Sequence, residues 1–125
     1  MKLLLDTHAL LWASSSPQEL SVEAREEIAK ESNVVFVSHA SLWELRIKES
    51  IGKIKLPKTF YRDLHPAGFE LLPIHLNHIE TFGKLPLHHR DPFDRMLIAQ
   101  AQVDQLILVT RDETLAKYSI KIIGA

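Results

Sequence analysis

Lys2-Leu3-Leu4-Leu5-Asp6-Thr7-His8-Ala9-Leu10-Leu11-Trp12-Ala13 decides the fold. A short apolar run bounded by a turn signal reads as a strand buried on both faces. Lys2–Leu5 is therefore expected as a strand ending at Asp6, and Thr7–Ala13 as a helix halted by Ser14-Ser15-Ser16-Pro17. The same alternation continues outward. Ser21–Glu31 reads as a helix capped by Ser21, with Val22, Ala24 and Ile28 as its apolar stripe. Val34-Val35-Phe36-Val37 is a second, β-branched strand, followed by a helix over Ser38–Ser50 that Gly52 closes.

Beyond Gly52 the pattern weakens. A short helix is expected around Thr59–Leu64, a strand over Phe69–Ile74 and a short helix over His75–Phe82. Asp91-Pro92 opens a helix to about Val103, because Pro suits the first helical position behind an Asp cap. Leu106–Val109, Glu113–Lys117 and Ile120–Ile123 complete the series as strand, short helix and strand. Strands alternating with helices give an α/β fold, a mainly parallel sheet with helices on both faces.

The bulk numbers fit one domain spanning residues 1–125. The chain is 46% hydrophobic and 25% charged, with 15 basic against 16 acidic side chains. A net charge of −1 excludes a polycation that holds nucleic acid by counterion release alone. No cysteine is present, which removes disulfide scaffolds, thiolate zinc sites and thiol nucleophiles. No apolar run approaches the ~20 residues that cross a bilayer. Asp6 and His8 interrupt the apolar start, and no secretory cleavage pattern follows, so a cytoplasmic location away from membranes is expected.

In an open parallel sheet, ligands bind beyond the carboxyl ends of the strands. Asp6 follows the first strand, Asp112 lies just past another, and Asp91 and Asp94 occupy the start of the helix between. Glu44 lies a full turn or more into the helix after the second strand. Taken singly, Asp6, Asp91 and Asp112 fit helix caps, and Asp94 a capping-box partner or a complement to the helix dipole. Glu44 fits neither role; in its apolar context it needs a cation. Gathered in one cleft, such carboxylates repel one another, and an oxygen-ligated Mg²⁺ or Mn²⁺ removes that cost. Metal-assisted phosphodiester hydrolysis is the matching chemistry.

Four segments carry a family resemblance. They are Leu5-Asp6-Thr7-His8-Ala9-Leu10-Leu11-Trp12, Ser38-His39-Ala40-Ser41-Leu42-Trp43-Glu44-Leu45, the run from His89 to Ala101, and Val109-Thr110-Arg111-Asp112. In this order and spacing the chain resembles, over essentially its whole length, the PIN-domain ribonucleases and in particular the VapC-type toxins of toxin–antitoxin pairs. The resemblance implies a three-layer α/β sandwich and an endoribonuclease dependent on Mg²⁺ or Mn²⁺. It implies an acidic quartet of Asp6, Glu44, Asp94 and Asp112 holding the metal, with Thr110 as polar support and Asp91 second in rank. It also implies a homodimer and a small antitoxin protein that blocks the cleft. Water would attack the RNA phosphodiester in line, leaving 5′-phosphate and 3′-hydroxyl ends.

Other residues point to weaker alternatives. His75 and His78 are spaced by three and His88-His89 adjoin Arg90, but no zinc-ligand pattern is present. His8 reads as a helix-packing side chain, and His89 and Arg90 as either a solvated loop or a phosphate contact. Trp12 and Trp43 read as core residues. Arg46, Lys48, Lys53, Lys55, Lys58 and Arg62 form a local basic excess, a solvated face or a guide for RNA backbone. Two rival functions remain open. A phosphatase with Asp6 as nucleophile would want a second acid where His8 stands, and a non-enzymatic protein-binding module would use the acids only as caps. Neither a G-x-G-x-x-G nor a Walker A segment occurs.

Overall fold

Leu3, Leu4 and Leu5 are all fully buried, as the apolar run predicts for a strand covered on both faces. A computed structural model describes residues 1–125. This first strand, β1 (Lys2–Leu5), is the middle of five. It pairs in parallel with β2 (Val34–Ser38) on one side and β4 (Ile107–Thr110) on the other. β3 (Phe69–Leu72) and β5 (Lys121–Gly124) complete a sheet of order β3-β2-β1-β4-β5, parallel throughout.

Register sorts the side chains onto two faces. Leu5 lies opposite Val37 and Val109, and Val109 opposite Ile123. These residues pack against Ala9 and Leu10 of α1 (Thr7–Ser15), Ala24 of α2 (Val22–Ala29), Leu45 of α3 (His39–Ser50) and Phe60 of α4 (Phe60–Asp63). Leu4 and Leu108 point the other way, onto Leu97, Ile98 and Ala101 of α6 (Pro92–Asp104). Phe82 of α5 (Leu76–Lys84) flanks that second cluster. The result is the expected three-layer α/β sandwich.

The topology fixes where a ligand can sit. From β1 the chain adds β2 and then β3 on one side, with α1 to α4 on one face. It then returns to add β4 and β5 on the other side, with α5 and α6 on the opposite face. Crossovers of one hand require this change of face when the direction of growth reverses. The reversal leaves a crevice between the carboxyl ends of β1 and β4, the topological switch point.

Element boundaries differ from the sequence expectation by one or two residues at several ends; α1 runs on through Ser15, α5 to Lys84, and β4 spans Ile107–Thr110 rather than Leu106–Val109. β3 stops at Leu72, two residues early, because Pro73 has no N–H to extend the ladder; its carbonyl accepts from Gln100 instead. α2 stops at Ala29, and the Asn33 side chain takes up the carbonyl of Glu27. β5 begins at Lys121 rather than Ile120. Gly52 does follow α3, at φ +74°, a left-handed geometry suited to glycine.

Candidate active site

Asp6 leaves the end of β1 with its N–H bonded to the carbonyl of Val109 at 3.1 Å, so the two strand ends that flank the switch point are tied at this residue. Its Oδ1 accepts from the N–H of Ala9 at 2.8 Å and caps α1. Asp91 caps α6, its Oδ1 accepting from Phe93 at 2.8 Å and Asp94 at 3.3 Å. Asp112 caps the 3₁₀ turn Glu113–Lys117, its Oδ1 accepting from the Thr114 N–H at 3.0 Å and hydroxyl at 2.7 Å. The capping expectation is therefore correct for all three. It does not compete with a site, because each of these caps uses a single carboxylate oxygen.

All five singled-out acids line one cavity of about 220 Å³ at the switch point: Asp6, Glu44, Asp91, Asp94 and Asp112. Asp91, ranked second by sequence, stands there with the quartet. Glu44 reaches in from α3. It accepts from the Thr7 hydroxyl at 2.6 Å and pairs with Lys48 one turn on at 3.2 Å. Thr110 is buried beneath, its Oγ1 accepting from the N–H of Asp112 at 3.1 Å.

The electrostatics show uncompensated negative charge. Burial raises the pKa of Asp6 above the usual carboxylate value, and nearby Glu44 adds to the rise; Thr110, the Ala9 N–H and His8 oppose it. Asp94 is pushed up to about 7, first by burial and then by Asp91, Asp6 and Glu44, with His89 working the other way. Asp112 is held below the usual value, chiefly by the Thr114 hydroxyl and N–H and by His89. Lys48 and Arg111 are the permanent cations on the cavity wall, against five carboxylates. A hard divalent cation suits such an oxygen-rich donor set and would relieve the strain on Asp94.

Several residues sit differently from their sequence reading. His89 is not a free loop side chain: Nε2 lies 2.9 Å from Oδ2 of Asp112 and 3.6 Å from Oδ2 of Asp94. One ligand atom from each of His89, Asp94 and Asp112 lies within 4.8 Å of the others. Sequence gave little hint of this role, since the loop before Asp91 has no periodicity. Trp43 is not core. It is 60% exposed and meets Phe93 edge-on at 5.3 Å. Trp12 does pack against the core, yet it also lines the acidic cavity, with His8 stacked on it and the Arg111 guanidinium 4.1 Å over its ring. His8 is thus an exposed wall residue rather than a helix-packing one. Arg111 was missed for want of any pattern; it also donates to the carbonyls of Glu19 and Ala125.

The other groups fall outside the cavity. At the start of α5, Nδ1 of His78 accepts from the His75 N–H at 2.9 Å, and Nε2 of buried His78 lies 2.8 Å from Oδ2 of Asp104. Within the basic run, Arg46 pairs with Glu49 and Lys48 with Glu44, whereas Lys53, Lys55, Lys58 and Arg62 are exposed and make no ion pair. Arg90 is also exposed, beside the acidic cavity in a neighbouring hollow of about 480 Å³. No helix is long and apolar enough to cross a membrane.

Comparison with known proteins bears on the fold and the family. A search of curated protein sequences found no match. Among solved structures, the fold resembles VapBC2 from Rickettsia felis bound to a promoter DNA fragment, with TM-score 0.75, 17% identity and 98% of each chain covered. It also resembles DNA-bound VapBC from Salmonella typhimurium, with TM-score 0.70, 19% identity and 98% and 97% coverage of this chain and that one. VapBC-5 from Mycobacterium tuberculosis, a toxin–antitoxin system, matches with TM-score 0.65, 19% identity and 99% and 98% coverage. The sequence profile of the PIN domain matches residues 3–121, nearly the whole length. Sharing that profile from the first strand to the last, the chain belongs to the PIN domain family.

Proposed function

We propose that this protein is a metal-dependent endoribonuclease, the toxin of a toxin–antitoxin pair, restrained by a cognate antitoxin protein. The observation that carries the reading is the convergence of Asp6, Glu44, Asp91, Asp94 and Asp112 on one cavity with too few cations to balance them. Asp6, Glu44, Asp94 and Asp112 would hold Mg²⁺ or Mn²⁺, with Asp91 as a further oxygen donor. The raised pKa of Asp94 supports this assignment, because a divalent ion offsets the neighbouring charge responsible. When bound, the ion supplies Lewis acidity that lowers the pKa of a water and offsets charge on a phosphoryl group.

The protein's own groups have separable tasks. Asp6 is fixed by the first turn of α1, and Glu44 is held between Thr7 and Lys48. Lys48 and Arg111 give the wall positive charge for an RNA phosphate, and exposed Lys53, Lys55, Lys58 and Arg90, with Arg46, would guide the backbone inward. VapBC complexes among the similar folds support an antitoxin partner. A homodimer, a single-domain protein and a cytoplasmic setting belong to the same reading. At the phosphatase nucleophile's second position stands His8, stacked on Trp12, which favours hydrolysis without a covalent intermediate.

The test is cleavage of end-labelled RNA by purified protein in Mn²⁺ or Mg²⁺, with EDTA and Asp6→Asn as controls. Metal-dependent internal cuts bearing 5′-phosphates, lost in both controls, are the expected result. Cleavage that survives chelation or Asp6→Asn would refute the assignment.

A further inference from the structure

We infer that His89 is a positioning residue whose imidazole, locked in one tautomer, aims Asp112 into the acidic cavity; the inference rests on the metal-site reading above. The hydrogen bonds fix the direction of donation. The backbone N–H of Asp91 donates to Nδ1 of His89 at 3.1 Å, so Nδ1 carries a lone pair. The ring proton therefore resides on Nε2, which donates to Oδ2 of Asp112 at 2.9 Å. With Oδ1 of Asp112 occupied by both donors of Thr114, the carboxylate is gripped at each oxygen and cannot rotate freely.

The grip extends into the core. Tyr118 is 4% exposed, and its hydroxyl accepts the N–H groups of both His88 and His89 at 3.1 Å each. The loop that carries His89 is thereby pinned to the segment after Asp112. His89 thus joins the N-terminus of α6 to the end of β4, holding Asp112 beside Asp94. An Nε2 engaged in donation is a support for the carboxylate rather than a ligand. Groups that orient a ligand in this way typically matter 10–100-fold in metal affinity.

The experiment measures Mn²⁺ affinity by electron paramagnetic resonance on the full chain, without RNA. Metal-free thermal unfolding of each variant verifies that it folds. His89→Ala weakens Mn²⁺ binding by about tenfold or more. His89→Gln, whose amide N–H reaches the position of Nε2, restores most of it, whereas the shorter His89→Asn does not. Tyr118→Phe, which removes only the hydroxyl that holds the His88–His89 backbone, weakens binding severalfold while leaving the core filled. Bound Mn²⁺ shows no coupling to an imidazole nitrogen. Unchanged affinity in His89→Ala, equal rescue by Asn and Gln, or a nitrogen coupling that makes His89 a ligand would overturn the inference. If the unchanged protein bound no Mn²⁺, the metal-site reading would fall, and the inference with it.

Discussion

The hydroxyl of Thr7 donates to Oε1 of Glu44 at 2.6 Å, joining the first turn of α1 to the middle of α3 across 37 positions of sequence. Thr7 is 6% exposed, so the bond lies where water competes poorly. Thr7→Val keeps the volume and branching but removes the donor. It should cost about 1 kcal/mol in urea unfolding, since Glu44 retains Lys48. RNA cleavage should drop by about tenfold as the carboxylate loses its aim. An unchanged urea midpoint would show that the bond contributes nothing.

Asp94 gives a pH signature with an unusual sign. Its carboxyl is raised from 3.8 to about 7, so the folded chain binds this proton more tightly than the unfolded chain. The contribution is complete below pH 4 and disappears as pH rises towards 7, the reverse of an acid held in a salt bridge. Without metal, Asp94→Asn should therefore be more stable than the parent at pH 8, by about 1–2 kcal/mol after solvent screening, and similar to it at pH 4. A parent that remains the more stable at pH 8 would contradict this.

Metal binding should invert that ranking, and metal removal should restore it. At 100 times the dissociation constant, Mn²⁺ adds ~2.7 kcal/mol to the parent, and EDTA takes it away. Asp94→Asn and Asp6→Asn should gain much less, because each lacks a charged oxygen donor. Calorimetric melts with and without Mn²⁺ at pH 8 decide the matter; equal shifts in all three proteins would place the ion elsewhere.

The sheet and its switch point were legible because they depend on local pattern. Leu3-Leu4-Leu5 ahead of Asp6, and Asp91-Pro92 ahead of an apolar helix, each have one good structural solution. Asp6, Asp91 and Asp112 were legible one by one as caps, and their convergence followed from the topology: helix starts following strand ends at a crevice bring their caps together. His89 and Arg111 were not legible. Each sits in irregular chain, and each owes its role to partners, Asp112 and Trp12, whose proximity no periodicity encodes. In α3 the apolar Leu42, Trp43, Leu45 and Ile47 are interleaved with charged residues and mark no single face, so sequence does not tell which of them meets the core; Leu45 won that place and Trp43 did not.

The exposed lysines after α3 predict a salt effect. Lys53, Lys55 and Lys58 make no ion pair, so contact with RNA phosphates would release counterions without breaking bonds within the protein. For single-stranded RNA each contact adds ~0.7 to the slope of log affinity against log salt. Replacing all three by Ala should flatten the slope by up to ~2 and weaken binding most at low salt. Stability should hardly change, since the side chains are exposed. An unchanged slope would remove this segment from the RNA path.

Trp43 separates burial from composition. Had it filled the core, truncation would cost about 3–5 kcal/mol. It is instead 60% exposed and touches Phe93 edge-on, at 72° between ring planes, as a bracket between α3 and α6. Trp43→Ala should therefore cost only about 1 kcal/mol, close to the worth of one aromatic pair. Phe93→Ala should cost a similar amount and the double variant little more, because both changes delete one shared contact. Urea unfolding of the four proteins closes the cycle, and additive losses would mean that the two rings act independently.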